Sequence, residues 1–162
     1  MKSRVSLVSV LIVISILLCS CAKANGYKKK DLVPVNETRG TDNIIAFVVD
    51  HNEGKDITVK IKNLSDKNFI FGEYYSVQVF EGGAWYYVPT VSDNAVHDLA
   101  HELEPGASLA MTYSLSPYGK FYPGHYRIAC CDGGSKKNIY YAEFNVMADG
   151  QYQWEIVEPT GE

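Results

Sequence analysis

Residues 56–63 read DITVKIKN, and their alternation decides the fold class. Ile57, Val59 and Ile61 fall on one side of an extended chain, while Thr58, Lys60 and Lys62 fall on the other. A period of two with β-branched residues on one face marks a half-buried strand. The pattern recurs outward from this stretch. Tyr75, Val77 and Val79 alternate with Ser76 and Gln78. Leu109, Met111, Tyr113 and Leu115 alternate with Ser108, Ala110, Thr112 and Ser114. Ala142, Phe144 and Val146 alternate with Glu143 and Asn145, and Ile44 to Val49 is a continuous apolar run read as the first strand of the domain. Gly82-Gly83, Pro105-Gly106, Pro123-Gly124, Gly133-Gly134 and Asp149-Gly150 punctuate these runs. Short strands with turn signals every ten or so residues predict an all-β antiparallel sandwich of about seven strands. Behind Asp149-Gly150, the alternation of Tyr152, Trp154 and Ile156 suggests an added C-terminal strand.

The N-terminus carries a different signal. Lys2 and Arg4 precede an uncharged run from Val5 to Leu18. That run is too short to cross a hydrocarbon core of ~30 Å unaided but suits a secretory signal. Residues 17–25 then read LLCSCAKAN. Leu18-Cys19-Ser20-Cys21 looks like a bacterial lipobox: an aliphatic residue at minus three and a small residue at minus one, before the cysteine that becomes the acylated N-terminus. Taking Cys19 as the acceptor would put Leu18 in the small-residue position, so Cys21 is the expected lipidation site. The expected organisation is a signal peptide over 1–20, a lipid-anchored flexible tether over 21–42, the sandwich over 43–147 and a C-terminal hairpin or tail over 148–162. Lys28-Lys29-Lys30 in the tether could meet anionic headgroups. Without residues 1–20 the chain keeps thirteen basic residues against nineteen acidic ones, a net charge of −6. An acidic body argues against nucleic acid as partner. The Asn36-Glu37-Thr38 and Asn63-Leu64-Ser65 sequons are discounted because a lipobox implies a bacterial cell.

Two local features refine the fold. Pro123-Gly124-His125-Tyr126 places a Tyr just inside a late strand, as in the tyrosine corner of immunoglobulin-like sandwiches. Gly83-Ala84-Trp85 opens a middle strand behind a hairpin signal. Core packing is the plain reading of both Tyr126 and Trp85. The ordered set Asn63-x-Ser65, Phe71-Gly72-Glu73-Tyr74-Tyr75-Ser76-Val77, Gly83-x-Trp85-Tyr86, Leu103-x-Pro105-Gly106 and Gly124-x-Tyr126-Arg127-Ile128 resembles a bacterial Ig-like domain family of secreted and lipid-anchored proteins, mainly Gram-positive. The resemblance spans roughly residues 43 to 147. It implies an Ig-like sandwich in an extracytoplasmic setting, and no biochemical activity. A weaker likeness to the intracellular proteinase-inhibitor family conflicts with the export signal. The chagasin-like inhibitors share the fold class, but their Asn-Pro-Thr-Thr-Gly and Arg-Pro-Trp loops are missing here.

No stretch assembles a convincing catalytic set. His97-Asp98-Leu99-Ala100-His101-Glu102 imitates a zinc-binding helix, yet Asp98 replaces the needed Glu and no third ligand stands at a familiar spacing. Surface polar residues in strand or loop are the expectation, and a metal-dependent hydrolase through His97 and His101 the remote alternative. Cys130 and Cys131 alternate across a strand, with Cys130 inward as a small core residue. What remains is aromatic surface. In Tyr74-Tyr75, Trp85-Tyr86-Tyr87 and Tyr140-Tyr141, consecutive rings in strands must place at least one outward. Tyr74, Trp85 and Tyr141 are the candidate ligand contacts, for a protein or cell-wall glycan. The reading is a non-enzyme without cofactor or metal, lipid-anchored to the cell membrane (the outer membrane in a Gram-negative cell), acting as a binding or structural module. An exported protease inhibitor of the same fold is the alternative.

Overall fold

A computed structural model describes residues 26–37, 43–52, 55–93, 99–130, 139–148 and 152–153. The strands in chain order are β1 (Val33–Pro34), β2 (Ile44–Asn52), β3 (Asp56–Asn63), β4 (Phe69–Gly72), β5 (Tyr75–Glu81), β6 (Ala84–Tyr87), β7 (Ala100–Leu103), β8 (Ser108–Ser114), β9 (Gly124–Cys130), β10 (Tyr140–Val146) and β11 (Tyr152–Gln153). Two 3-10 turns, Lys29–Asp31 and Ser116–Tyr118, are the only helical segments among the described residues. No helix there is long and apolar enough to cross a membrane. One sheet has the order β1-β6-β5-β9-β10-β11, a second β2-β3-β8, and β4 pairs with β7. Every strand pairing is antiparallel. The expected count of about seven corresponds to β2, β3, β5, β6, β8, β9 and β10. The other four are short: β1 and β11 border the six-stranded sheet, and β4 with β7 forms a separate pair that carries the core residues Phe71 and Leu103.

The stretch 56–63 is the central strand of its sheet, and its burial alternates without a break. Ile57, Val59 and Ile61 are fully buried. Each such side chain contributes about 1.5–3 kcal/mol. On the opposing sheet Val77, Val79, Tyr126, Ile128, Ala142 and Phe144 close the same core. The Tyr75 hydroxyl crosses the sandwich and donates to the Ser114 carbonyl at 2.5 Å. The apolar run opening β2 cannot alternate strictly, and a bulge between Val48 and Asp50 resolves the conflict. Val48 stays buried opposite Val59, while the extra residue Val49 turns out to solvent. Asp50 then pairs with the solvent-side Thr58 rather than following Val48 into the core.

The tyrosine corner is present. The Tyr126 hydroxyl donates to the Tyr122 carbonyl at 2.8 Å. With that proton committed, the Tyr27 hydroxyl donates to Tyr126, also at 2.8 Å. The Asn63-x-Ser65 sequon also has a structural explanation. Asn63 is 0% exposed, donates to the Lys67 and Leu103 carbonyls, and accepts from the Ser65 backbone and hydroxyl. Pro105-Gly106 makes the expected turn, with Gly106 at φ 76° and the Ala107 amide donating to Glu104.

Two expectations are corrected. The flexible tether assigned to 21–42 is, over residues 26–37, part of the folded unit. Tyr27 belongs to the core, β1 pairs with β6, and Gly26 bridges to Lys120. A side chain at Gly26 would come within 2.9 Å of the Lys120 carbonyl, so the close approach requires glycine. Trp85 is not in the core. Tyr86 packs against it, while Trp85 and Tyr87 take the opposite face of β6. Of the added C-terminal strand, Tyr152–Gln153 pairs with β10. Residues 1–25 with Cys19 and Cys21, the His97 and Cys131 positions, the Asp149-Gly150 turn and Trp154 with Ile156 lie outside the described residues.

Candidate functional site

The outward register of the six-stranded sheet carries the densest polar and aromatic chemistry. Antiparallel pairing sets Gln78 of β5 opposite both Arg127 of β9 and Tyr87 of β6. Phe80 lies opposite Trp85, and Arg127 opposite Glu143. The Arg127 guanidinium sits between two rings, 4.0 Å from the Trp85 centroid and 3.6 Å from that of Tyr141. Its Nε donates to Gln78 Oε1 at 2.7 Å. Gln78 Nε2 in turn donates to the Glu37 carboxylate at 2.8 Å. The Tyr87 hydroxyl donates to the other oxygen of that carboxylate. The order Tyr87–Glu37–Gln78–Arg127 therefore crosses three strands and the N-terminal segment.

Burial of these groups follows from the arrangement. Gln78 is 0% exposed and Arg127 only 9%, although both sit on the face away from the core. An uncompensated amide or cation there would be costly, and the hydrogen bonds and ring faces supply the compensation. Burial, followed by the hydrogen bond and negative charge of Glu37, raises the Tyr87 pKa well above its ordinary value of 10.0. Tyr87 thus stays protonated and remains a donor. Beside this row Phe80, Trp85 and His125 form an aromatic group, with ring centroids 5.3 Å apart for Phe80–Trp85 and 5.1 Å for Trp85–His125. His125 Nε2 lies 2.9 Å from Glu143 Oε2, without the alignment of a hydrogen bond. Ala129 and Ile139, with Tyr141 against them, form a second small apolar cluster.

The structure brings two of the three candidate contact aromatics together. Trp85 and Tyr141 share one face, but each gives a ring face to Arg127. Trp85 is further hemmed in by Phe80 and His125. Neither is a bare stacking platform. Tyr74 is different. It lies in the link between β4 and β5 and is 50% exposed. Phe80 is also well exposed.

His101 is on the strand β7, not on a helix. Its Nε2 contacts Glu73 Oε1 at 3.0 Å, and its ring packs near Phe71. Among the described residues no three His, Cys, Asp or Glu side chains gather to hold a metal. Cys130 is buried in the core. Sequence reasoning missed Glu37, read as tether, and Gln78, read as an ordinary solvent-side residue. The available signal was the register: Gln78 and Arg127 both occupy outward positions of neighbouring strands that also present Trp85 and Tyr141 outward.

With fold and face described, the comparison with families decides the relationship. The model of the bacterial Ig-like domain matches residues 48–145, more than half of the chain. The chain belongs to the bacterial Ig-like domain family. Neither curated proteins nor solved structures give a match. The matched span of the bacterial Ig-like domain runs from the middle of β2 into β10 and so contains Gln78, Trp85, Arg127 and Tyr141. Glu37 precedes it. Bacterial Ig-like domains are generally non-catalytic modules, typically exposed outside the cell.

Proposed function

We propose that this bacterial Ig-like domain is a lipid-anchored, non-catalytic recognition module on the extracytoplasmic side of the membrane, held there through acylated Cys21. Its contact region is the outer face of the six-stranded sheet, with exposed rings at either end of β5, Tyr74 before it and Phe80 near its close, and its partner a cell-wall glycan or a surface protein. The observation that carries this reading is the division of labour on the outer face. Arg127, Gln78, Glu37 and Tyr87 are committed to one another, whereas Tyr74 and Phe80 offer exposed rings beside a rigid frame. Exposed rings on a preorganised support suit sugar stacking or protein packing, and little ordering cost attaches to them. The anchor reading is supported by Leu18-Cys19-Ser20-Cys21.

The contact region is tested by a pull-down on isolated peptidoglycan and on a panel of surface proteins, comparing the mature chain with Tyr74→Ala and Phe80→Ala. Loss of binding by at least about tenfold, equivalent to ~1.4 kcal/mol, is expected for Tyr74→Ala. Equal retention by all three proteins, or no retention by any, would overturn it.

A further inference from the structure

The folded segment 26–37 brings the body of the domain close to the expected anchor. Cys21 is five residues from Gly26, which is built into the fold through its bridge to Lys120. A fully extended link of that length spans at most about 18 Å. The anchored reading of Cys21, on which this inference rests, therefore holds the Gly26 end of the sandwich within one short link of the lipid surface. That end also contains the Glu81–Ala84 hairpin, the β2–β3 connection and the segment from β8 to β9, since Gly124 pairs with Val146 and the Leu115 amide bonds to Lys55.

The corner where the chain enters is basic. Lys28, Lys29 and Lys30 are exposed in and beside the first 3-10 turn, and exposed Lys120 lies at the Gly26 bridge. Glu81, the acid reaching toward this corner, is already engaged by Lys29 at 3.0 Å. Asp31, Asp50 and Asp56 also belong to this end, so the attraction is confined to the corner rather than spread over the whole end. Tyr122 stands 45% exposed beside Gly26, an amphipathic ring of the kind enriched at membrane–water interfaces. Headgroup attraction falls off within a Debye length, about 8–10 Å, and a link of at most about 18 Å lets the corner reach that layer.

We infer that the Lys28–Lys30, Lys120 and Tyr122 corner is a docking surface for an anionic bilayer, which fixes the domain upright with its β3–β4 and β7–β8 connections facing away from the cell. The length of the link sets proximity, and the lysines select the tilt.

The test uses the acylated full-length product in vesicles of equal parts phosphatidylglycerol and phosphatidylcholine. A membrane-impermeant amine reagent labels its lysines, and mass spectrometry reads each site against the same protein in neutral detergent. Lys28, Lys30 and Lys120 are expected to lose most of their labelling on vesicles, whereas Lys67, exposed between β3 and β4, keeps its own. In Lys28→Glu/Lys30→Glu, Lys120 should regain labelling to the level of Lys67. Acylated Cys21 with equal labelling of Lys120 and Lys67 on vesicles would overturn the docking inference alone. An unmodified Cys21 in the mass spectrum would overturn the anchor reading and the docking inference with it.

Discussion

Arg127 occupies a strand position where a long cation would ordinarily snorkel into water, yet two rings and an amide hold it in place. Its planar guanidinium can stack on Trp85 and Tyr141 while Nε donates in the plane, which a lysine ammonium cannot do. Arg127→Ala should lower the stability in urea by about 2–4 kcal/mol, from lost stacking and the stranded Gln78 amide. Arg127→Lys should recover little of it, and full recovery would show that charge rather than shape matters. Tyr126 is the second decisive residue. Burial raises its pKa far above 10.0, and burial likewise raises that of Tyr27. Their protonated forms are favoured in the fold, so the associated stability is fully present below the unfolded value near pH 10. It should fall as pH rises further, because the unfolded chain gives up protons that the folded chain keeps. Urea midpoints flat up to pH 10 and declining above it are expected; Tyr27→Phe/Tyr126→Phe should flatten the decline. The position of Tyr126 was legible from Gly124-x-Tyr126. Its second partner was not, since Tyr27 is 99 residues away in sequence.

Among the elements, β3 and the N-terminal segment behave oppositely under sequence reading. β3 declares itself through period-two alternation because one face meets the core and the other meets water. The segment 26–37 has no such period: two strand residues, a 3-10 turn and single anchoring side chains hold it. Its attachment depends on Tyr27 at one end and Glu37 at the other. Glu37→Ala should leave the buried Gln78 amide and the Tyr87 hydroxyl without their shared acceptor, costing about 1–3 kcal/mol. Hydrogen exchange at the Val35 amide, which donates to Trp85 in the native fold, should quicken in the same variant. Unchanged exchange would mean that β1 pairs independently of Glu37.

At the scale of the whole molecule, anchoring and folding are separate. The expected acylation site precedes Gly26, the first of the described residues, and Cys21→Ser should abolish lipid labelling and release the chain from membranes. It should leave the melting temperature of the purified mature domain unchanged within about 1 °C, since the core described for residues 26–153 is left intact. Cys19→Ser should alter neither. The family and the sandwich were legible because alternation and turn residues are local properties of the chain, set by the pleat of a strand and the φ angles of Gly82, Gly83 and Gly106. The candidate face was legible only as register: it could be said that some rings of Tyr74-Tyr75, Trp85-Tyr86-Tyr87 and Tyr140-Tyr141 must point outward, not which would remain open. Sequence by itself thus determined an all-β Ig-like domain, its central strand and its tyrosine corner. Only the tertiary structure decided that Trp85 faces outward, that Arg127 fills the space between Trp85 and Tyr141, and that residues 26–37 close over the sheet. Those outcomes depend on which strands become neighbours, and the pairs β1–β6 and β5–β9 join distant parts of the chain.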